Sequence, residues 1–119
     1  MQVTDERMVY WANHLKKAEE NHKGVEPLTS IDQEMTVETA YQIQLVNIQR
    51  KIDLGQRIAG KKIGLTSLAM QNLLGVNEPD YGHLLDDMIV ENGGHLSYKK
   101  VLQPKVEAEI AKKKVKSLV

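Results

Sequence analysis

The sequence predicts an α+β fold, with helices in the first half of the chain and short strands in the second. Two segments before residue 55 carry apolar residues at three- and four-residue steps, which is the spacing of an amphipathic helix. After residue 55 the apolar segments are shorter and contain glycines, and in one of them apolar and polar residues alternate. With 119 residues, 41% of them hydrophobic, the chain makes one domain at most.

The composition excludes several classes of protein. The absence of cysteine excludes disulfides, thiolate zinc sites and cysteine nucleophiles. The 16 basic and 16 acidic residues cancel, so we expect neither nucleic acid nor a membrane surface as a partner. No apolar run approaches the roughly 20 residues of a membrane span, and the first residues lack the apolar stretch of a signal peptide. A cytoplasmic protein is therefore expected.

Two helices are predicted in the first half. The first spans residues 4–20, with Thr4 as its N-cap and Gly24 as a left-handed residue after its end. Its apolar positions share one face: Met8, Trp11, Ala12, Leu15 and Ala18. The second begins at Thr36 and stops at Gly55. Its expected buried face consists of Val37, Tyr41, Leu45, Ile48 and Ile52, widened by Ile43, Val46 and Leu54.

A strand and a short helix are predicted next. Residues 57–65 read as a strand that passes close to another part of the molecule, because glycines lie within it. Ser67 then caps a short helix that ends at Gly75. Its leucines are expected to face inward, namely Leu68, Leu73 and Leu74. Residues 77–80 form a loop or turn.

A hairpin and a last strand complete the prediction. The hairpin consists of residues 88–90 and 95–98, joined by a turn that contains two glycines. In the last strand, residues 104–110, apolar and polar residues alternate. Because a strand has a period of two, Glu107 and Glu109 are expected to point to the same side.

Five residues are candidates for chemistry. Glu107 and Glu109 together suit a hard divalent cation such as Mg²⁺ or Mn²⁺, although the same spacing is common on solvated strand faces. Lys61 and Lys62 lie between two glycines, where one lysine is placed to bind a substrate carboxylate or transfer a proton. Solvated lysines in an ordinary strand-to-helix turn are the alternative. Asp80 is either a turn residue or a polar group of the same site.

Three segments, taken in order, carry a resemblance to a known family. They are GKKIGLTS at residues 60–67, LGVNEPDYGHL at 74–84 and QPKVEAEIA at 103–111. With TVETAY at residues 36–41, they resemble the 2-hydroxypenta-2,4-dienoate hydratases, also called 2-keto-4-pentenoate hydratases, of the fumarylacetoacetate hydrolase superfamily. Three ordered motifs are far more specific than any one of them alone.

The resemblance implies a domain organisation. Residues 1–56 would be an N-terminal helical region, and residues 57–111 the first strands of a mostly β catalytic domain. Residues 112–119 would be a basic tail outside the family pattern, because Ala111 is followed by three lysines. Family members continue after this point with a long remainder of the catalytic domain. The sequence is therefore expected to be truncated after Ala111, with slow or no turnover.

The resemblance also implies an activity, which is the metal-dependent hydration of 2-hydroxypenta-2,4-dienoate to 4-hydroxy-2-oxopentanoate in aromatic-compound catabolism. By similarity, Glu107 and Glu109 are two of three carboxylate ligands to Mg²⁺ or Mn²⁺. Lys62, rather than Lys61, contacts the substrate and helps proton transfer, and Asp80 is an acid–base group near the same pocket. The implied partners are a small 2-oxo or 2-hydroxy dienoic acid, further copies in a homo-oligomer, and the next enzymes of the pathway.

Two alternatives stay open. One is a 4-oxalocrotonate-type decarboxylase of the same superfamily, which release of carbon dioxide would reveal. The other is a non-catalytic remnant that associates with intact family subunits, which co-purification with a full-length homologue would reveal.

Overall fold

The computed structural model describes residues 5–109 and the backbone of residues 111–113. The regular elements within these residues are helices and one small antiparallel sheet, which confirms the α+β class. The chain divides into two compact units: Met1–Leu54 with Leu96–Pro104, and Gly55–His95 with Lys105–Val119. Among the described helices, none has the length and apolar character needed to cross a membrane.

Helix α1 spans Glu6–Glu20. It begins after Asp5, whose side chain accepts a hydrogen bond from the Arg7 backbone N–H, and the predicted cap Thr4 lies outside the described residues. The prediction of Gly24 as the left-handed residue is wrong, because His22 takes that conformation with φ of 52°. The left-handed residue after the helix is therefore His22, two residues before Gly24.

Helix α2 spans Leu28–Ile31, and the aspartate that follows it ties this segment to α1. Oδ2 of Asp32 accepts hydrogen bonds from Nε of Arg7 at 2.7 Å and from the Trp11 indole N–H at 3.0 Å. Oδ1 accepts the Glu34 backbone N–H at 3.0 Å. One carboxylate thus fixes the loop between α2 and the next helix against α1.

Helix α3 spans Val37–Asp53 and agrees with the prediction at both ends. The Thr36 hydroxyl accepts the Thr39 backbone N–H at 3.1 Å, which is the expected cap. After Leu54 the chain leaves the helix through Gly55, whose φ of 103° is open to glycine but strained for other residues.

The contact between α1 and α3 forms the core of the first unit. Trp11, Ala12 and Ile43 are buried together. The side chain of Asn47 donates to the Ala12 carbonyl at 3.0 Å, and Arg50 donates to the Asn13 side chain at 2.7 Å. Positions 43, 47 and 50 share one face of α3 because they are three and four residues apart.

The face predicted for α3 is therefore wrong in part. Ile43 and Ile48 are buried as expected. Tyr41, Leu45, Val46 and Ile52 are half-buried. Val37 and Leu54, however, are 57% and 82% exposed. The predicted row that begins at Val37 lies nearly opposite the row of residues 43, 47 and 50 that contacts α1, because successive residues of a helix are rotated by about 100°. Apolar periodicity located the helix correctly, but only Ile43 and Val46, at the margin of the predicted face, pack in the core with α1.

The sheet of the second unit has the strand order β2-β1-β3. Strand β1, Ile58–Gly64, confirms the predicted strand. Strand β2, Asp80–Leu85, pairs with it antiparallel and was not predicted. Asp80 is thus the first residue of a strand rather than a loop residue. Leu85, at the end of β2, is fully buried.

Helix α4, Leu68–Leu74, has the predicted caps but not the predicted packing. Ser67 accepts the Met70 backbone N–H at 3.3 Å, and Gly75 adopts the left-handed conformation with φ of 73°. The leucines predicted to face inward are exposed, with Leu68 and Leu73 at 76% and Leu74 at 59%. The inward position belongs to Gln71, which is buried.

The predicted hairpin and last strand are also corrected. Residues 88–90 and 95–98 are not strands, and short 3-10 turns span Asp86–Met88 and Tyr98–Lys100. Residues 104–109 pair with no strand among the described residues, and residue 110 lies outside them. Strand β3 is instead Ala111–Lys113, antiparallel to β1.

Strand β3 falls on the start of the predicted basic tail, which extends beyond the described residues. The chain therefore enters the ladder later than the alternation predicted. Alternation records an amphipathic pattern, whereas a strand also needs a neighbour with free backbone groups.

Candidate functional site

The register between β1 and β2 places Lys62 and Asp80 on one face of the sheet. Gly64 lies directly opposite Asp80, and Lys62 lies directly opposite Gly82. Residues directly opposite each other point to the same face, and residues two apart along a strand share a face. Lys62, Gly64 and Asp80 therefore share one face, and Lys61 belongs to the other.

Gly64 is the point at which the functional groups converge. A Cβ atom added there would lie 2.8 Å from Oδ1 of Asp80 and 3.7 Å from both Nζ of Lys62 and Oε1 of Glu109. Because glycine has no side chain, the ammonium group and the two carboxylates share this space. The glycines of this strand predicted that another part of the molecule passes close to it. At Gly64 the groups that come close are the side chains of Lys62, Asp80 and Glu109.

An open cleft of about 370 Å³ contains these groups. Its lining includes all four predicted site residues, Lys62, Asp80, Glu107 and Glu109. Further lining comes from Gly64, Leu65, Thr66, Ser67, Met70, Leu74 and Ala108. An adjacent cleft of about 500 Å³ shares Thr66, Ala108 and Glu109 with it and adds Ile63. The four predicted residues are thus brought together, although Glu107 and Glu109 do not lie on a strand.

The charges in the cleft favour a cation. Asp80, Glu107 and Glu109 contribute three formal negative charges and Lys62 one formal positive charge, so the formal charge of the cleft is −2. Carboxylate oxygens are hard ligands that suit Mg²⁺, Mn²⁺ or Ca²⁺. Within residues 5–109, however, no three His, Cys, Asp or Glu side chains are grouped closely enough to hold a metal ion by themselves. The described residues alone therefore do not form a complete metal site.

Leu65, in the turn from β1 to α4, was not predicted as part of the site. Leu65, Thr66 and Ser67 all line the cleft, and Leu65 has φ of 55°, which is unusual for a residue other than glycine. Sequence patterns carry no signal for a leucine in this conformation. The predicted helix cap at Ser67 did locate the turn itself.

Curated relatives share most of this chain. A 2-keto-4-pentenoate hydratase of Paraburkholderia xenovorans LB400 is 46% identical over 99 residues, which is 83% of this chain and 37% of the relative. A 2-hydroxypent-2,4-dienoate hydratase of Pseudomonas putida is 43% identical over 100 residues, which is 83% of this chain and 45% of the relative. The chain thus spans less than half the length of these relatives. No protein-family profile matches it.

Solved structures show the same fold. A 4-oxalocrotonate decarboxylase from Pseudomonas putida G7, complexed with calcium and acetate, superposes with a TM-score of 0.78 at 36% identity, covering 85% of this chain and 39% of the decarboxylase. The decarboxylase complexed with magnesium and adipate has a TM-score of 0.69 at 37% identity, covering 75% and 34% of the two chains. In sequence, the hydratases are the more similar group.

Proposed function

We propose that this chain, which belongs to the 2-keto-4-pentenoate hydratase family over the part that it shares with its relatives, acts in the hydration of a dienoic acid. The substrate would be 2-hydroxypenta-2,4-dienoate and the product 4-hydroxy-2-oxopentanoate, within aromatic-compound catabolism. The observation that carries the proposal is the cleft that brings together Lys62, Asp80, Glu107 and Glu109. A small carboxylic acid with an oxygen at carbon 2 suits a site of mixed charge.

Glu107 and Glu109 are the residues that would hold a divalent metal. Their oxygen donors and the excess negative charge of the cleft fit Mg²⁺ or Mn²⁺. The two solved neighbours are complexed with calcium and with magnesium, which supports a divalent cation in this fold. When bound, such an ion supplies Lewis-acid polarisation of the substrate's carbon-2 oxygen. Two protein ligands leave the remaining positions to water, substrate or other groups, so affinity should be weak.

Lys62 and Asp80 provide the charge and the proton-transfer groups. The Lys62 ammonium, on the same face as Asp80, would attract the substrate carboxylate and orient it. In the reaction, the proton of the 2-hydroxyl leaves and carbon 5 gains a proton, which gives an unsaturated 2-oxo acid. Water then adds, with its hydroxyl on carbon 4 and its proton on carbon 3. The Lys62 amine and Oδ1 of Asp80 would hold and move these protons.

A decarboxylase is the second candidate, and one observation favours it. Both solved neighbours are 4-oxalocrotonate decarboxylases, and a 2-oxo acid takes part in either reaction. The hydratases are the more similar in sequence, at 46% and 43% identity against 36% and 37%. We therefore place hydration first. A homo-oligomer, association with the next pathway enzymes and a cytoplasmic location follow from the family resemblance alone.

The experiment compares two substrates on one protein. The chain is incubated with Mn²⁺ and either 2-hydroxypenta-2,4-dienoate, followed by loss of dienoate absorbance, or 4-oxalocrotonate, followed by release of carbon dioxide. We expect slow hydration, lost in Lys62→Met and retained in the matched control Lys61→Met. Release of carbon dioxide without hydration would replace the hydratase by the decarboxylase. Equal loss in both lysine variants would remove Lys62 from its proposed role.

A further inference from the structure

Gln71 is the most unusual residue of helix α4. It is 6% exposed and is the one buried polar side chain among the described residues, on a helix whose leucines are largely exposed. Burial of an amide is unfavourable unless its hydrogen bonds are made. Nε2 of Gln71 donates to the Leu65 carbonyl at 2.8 Å. The helix therefore places a hydrogen-bond donor, rather than an apolar group, under the turn that precedes it.

The bond holds a residue in an unfavourable conformation. Leu65 has φ of 55°, a region in which the Cβ of an L-residue approaches its own backbone. A free leucine would relax to negative φ and change the direction of the following peptide. The side-chain bond from Gln71, together with the bond from the Gln71 backbone N–H to the Ser67 carbonyl at 3.0 Å, fastens both ends of the turn.

The same turn forms one wall of the cleft. Leu65, Thr66 and Ser67 line it together with Glu109, and Thr66 also borders the adjacent cleft with Glu109. Gln71 itself does not line either cleft. Any influence of Gln71 on a ligand would thus pass through the backbone of Leu65.

We infer that Gln71 is a positioning residue, which holds Leu65 in the left-handed conformation and so keeps Thr66 in the cleft wall beside Glu109. Removal of its amide donor allows Leu65 to take negative φ and withdraws Thr66 from the wall. The part of this inference that concerns ligand binding rests on the proposed function. The part that concerns the turn does not.

The test is a double-mutant cycle between Gln71→Met and Leu65→Gly. Methionine keeps the size of glutamine and removes the donor, and glycine adopts positive φ without strain. If Gln71 acts through the φ of Leu65, its loss should matter only while residue 65 is leucine. Asn72→Met, which removes an exposed amide from the same helix, is the matched control.

Two readouts separate the turn from the ligand. The first is the sign of φ at residue 65, measured by NMR from its amide-to-α-proton coupling and its carbon shifts. The second is the affinity for 2-oxopentanoate, an unreactive 2-oxo acid, in the presence of Mg²⁺. We expect Gln71→Met to give negative φ and to weaken binding by about tenfold, because loss of the hydrogen bond lowers the population of the binding conformation by about that factor. In the Leu65→Gly background the same change should weaken binding by less than about threefold.

Each result decides the matter. Positive φ at Leu65 in Gln71→Met, or equal weakening in both backgrounds, would overturn the inference. If Gln71→Met does not fold, Gln71→Leu also removes the donor without burying a charge or a new donor, and the same outcomes apply to it. If the wild-type chain fails to bind 2-oxopentanoate, the proposed function fails, while the φ measured at Leu65 still decides whether Gln71 controls the turn.

Discussion

The Asp32 carboxylate gives the first unit a contribution to stability that depends on pH. Burial by itself would raise the pKa of this carboxyl, but hydrogen bonds from Arg7, from the Glu34 backbone N–H and from Trp11 outweigh it and hold the pKa below its ordinary value. A carboxyl group whose pKa is lower in the folded chain than in the unfolded chain gives its full stabilisation of the folded state at pH values above its unfolded pKa. That contribution is lost as the pH falls through the folded pKa.

The first prediction concerns acid unfolding. Between about pH 5 and about pH 2 the wild-type chain should become progressively easier to unfold in urea, because Asp32 is protonated there. The variant Asp32→Asn should show a shallower loss over this range, since its side chain does not titrate. Asp87→Asn, which changes an exposed aspartate, should keep the wild-type slope. A slope in Asp32→Asn equal to that of the wild type would contradict the assignment.

The second prediction concerns the glycine of the cleft. In Gly64→Ala the new Cβ would meet Oδ1 of Asp80 at 2.8 Å, so that carboxylate must rotate away. Because the atom displaced ends a flexible side chain, unfolding free energy should change by less than about 1 kcal/mol. Affinity for 2-oxopentanoate with Mg²⁺ should fall clearly. Gly24→Ala, where a Cβ meets nothing within 4 Å, is the control, and unchanged affinity in Gly64→Ala would show that the convergence has no role in binding.

At the scale of elements, the pairing of α1 with α3 rests on a small number of fully buried side chains. Ile43 is 1% exposed, whereas Val37 on the same helix is 57% exposed. The third prediction is that Ile43→Ala lowers the free energy of unfolding in urea by about 3 kcal/mol, from lost burial and the cavity left behind. Val37→Ala should lower it by less than about 0.5 kcal/mol. Similar losses in the two variants would mean that the core is misplaced.

Elements with local signals were predictable from the sequence. Helix α3 begins at a threonine cap and ends before a glycine, and α4 is bounded by Ser67 and Gly75. These residues act on backbone groups within four positions of themselves, so the information is contained in the segment. Strand β1 was found from its apolar residues and glycines. The side on which each helix packs was not predictable, because it depends on distant partners.

Strands whose partners are distant in sequence were mispredicted. The ladder of β2 pairs residues 80–85 with residues 58–64, and nothing within the sequence DYGHLL alternates as a half-buried strand should. Residues 104–109 do alternate, yet Val106 is fully exposed and the strand forms at Ala111–Lys113. Which segment occupies the edge of β1 is decided by competition for the same backbone groups.

At the scale of the whole molecule, the candidate site was predictable mainly through its ordered motifs. Residue chemistry alone left Glu107 and Glu109 divided between a metal site and a solvated face, and left Lys62 equivalent to Lys61. The order of three segments selected Lys62, Asp80, Glu107 and Glu109, and the structure brings those four to one cleft. The conformation of Leu65 and the burial of Gln71 had no signal, because both arise from tertiary packing.

The family resemblance implies a metal site with three carboxylate ligands, of which Glu107 and Glu109 would be two. The chain spans 37% and 45% of the lengths of the two curated relatives described above, and residues 5–109 contain no complete cluster of metal ligands. A six-coordinate ion held by two carboxylates must take its other ligands from water or substrate. Weak affinity that depends on both glutamates is therefore the central quantitative expectation.

Titration with Mn²⁺, followed by electron paramagnetic resonance of the free ion, tests this expectation most directly. The wild-type chain is compared with Glu107→Gln/Glu109→Gln, and with Glu26→Gln/Glu78→Gln as a control that removes two exposed carboxylates elsewhere. We predict weak Mn²⁺ binding in the wild type and the control. In Glu107→Gln/Glu109→Gln we predict an affinity that is lower by a factor of about ten or more. Binding that survives Glu107→Gln/Glu109→Gln unchanged would show that the two glutamates are a solvated surface, and the proposed active site would be contradicted.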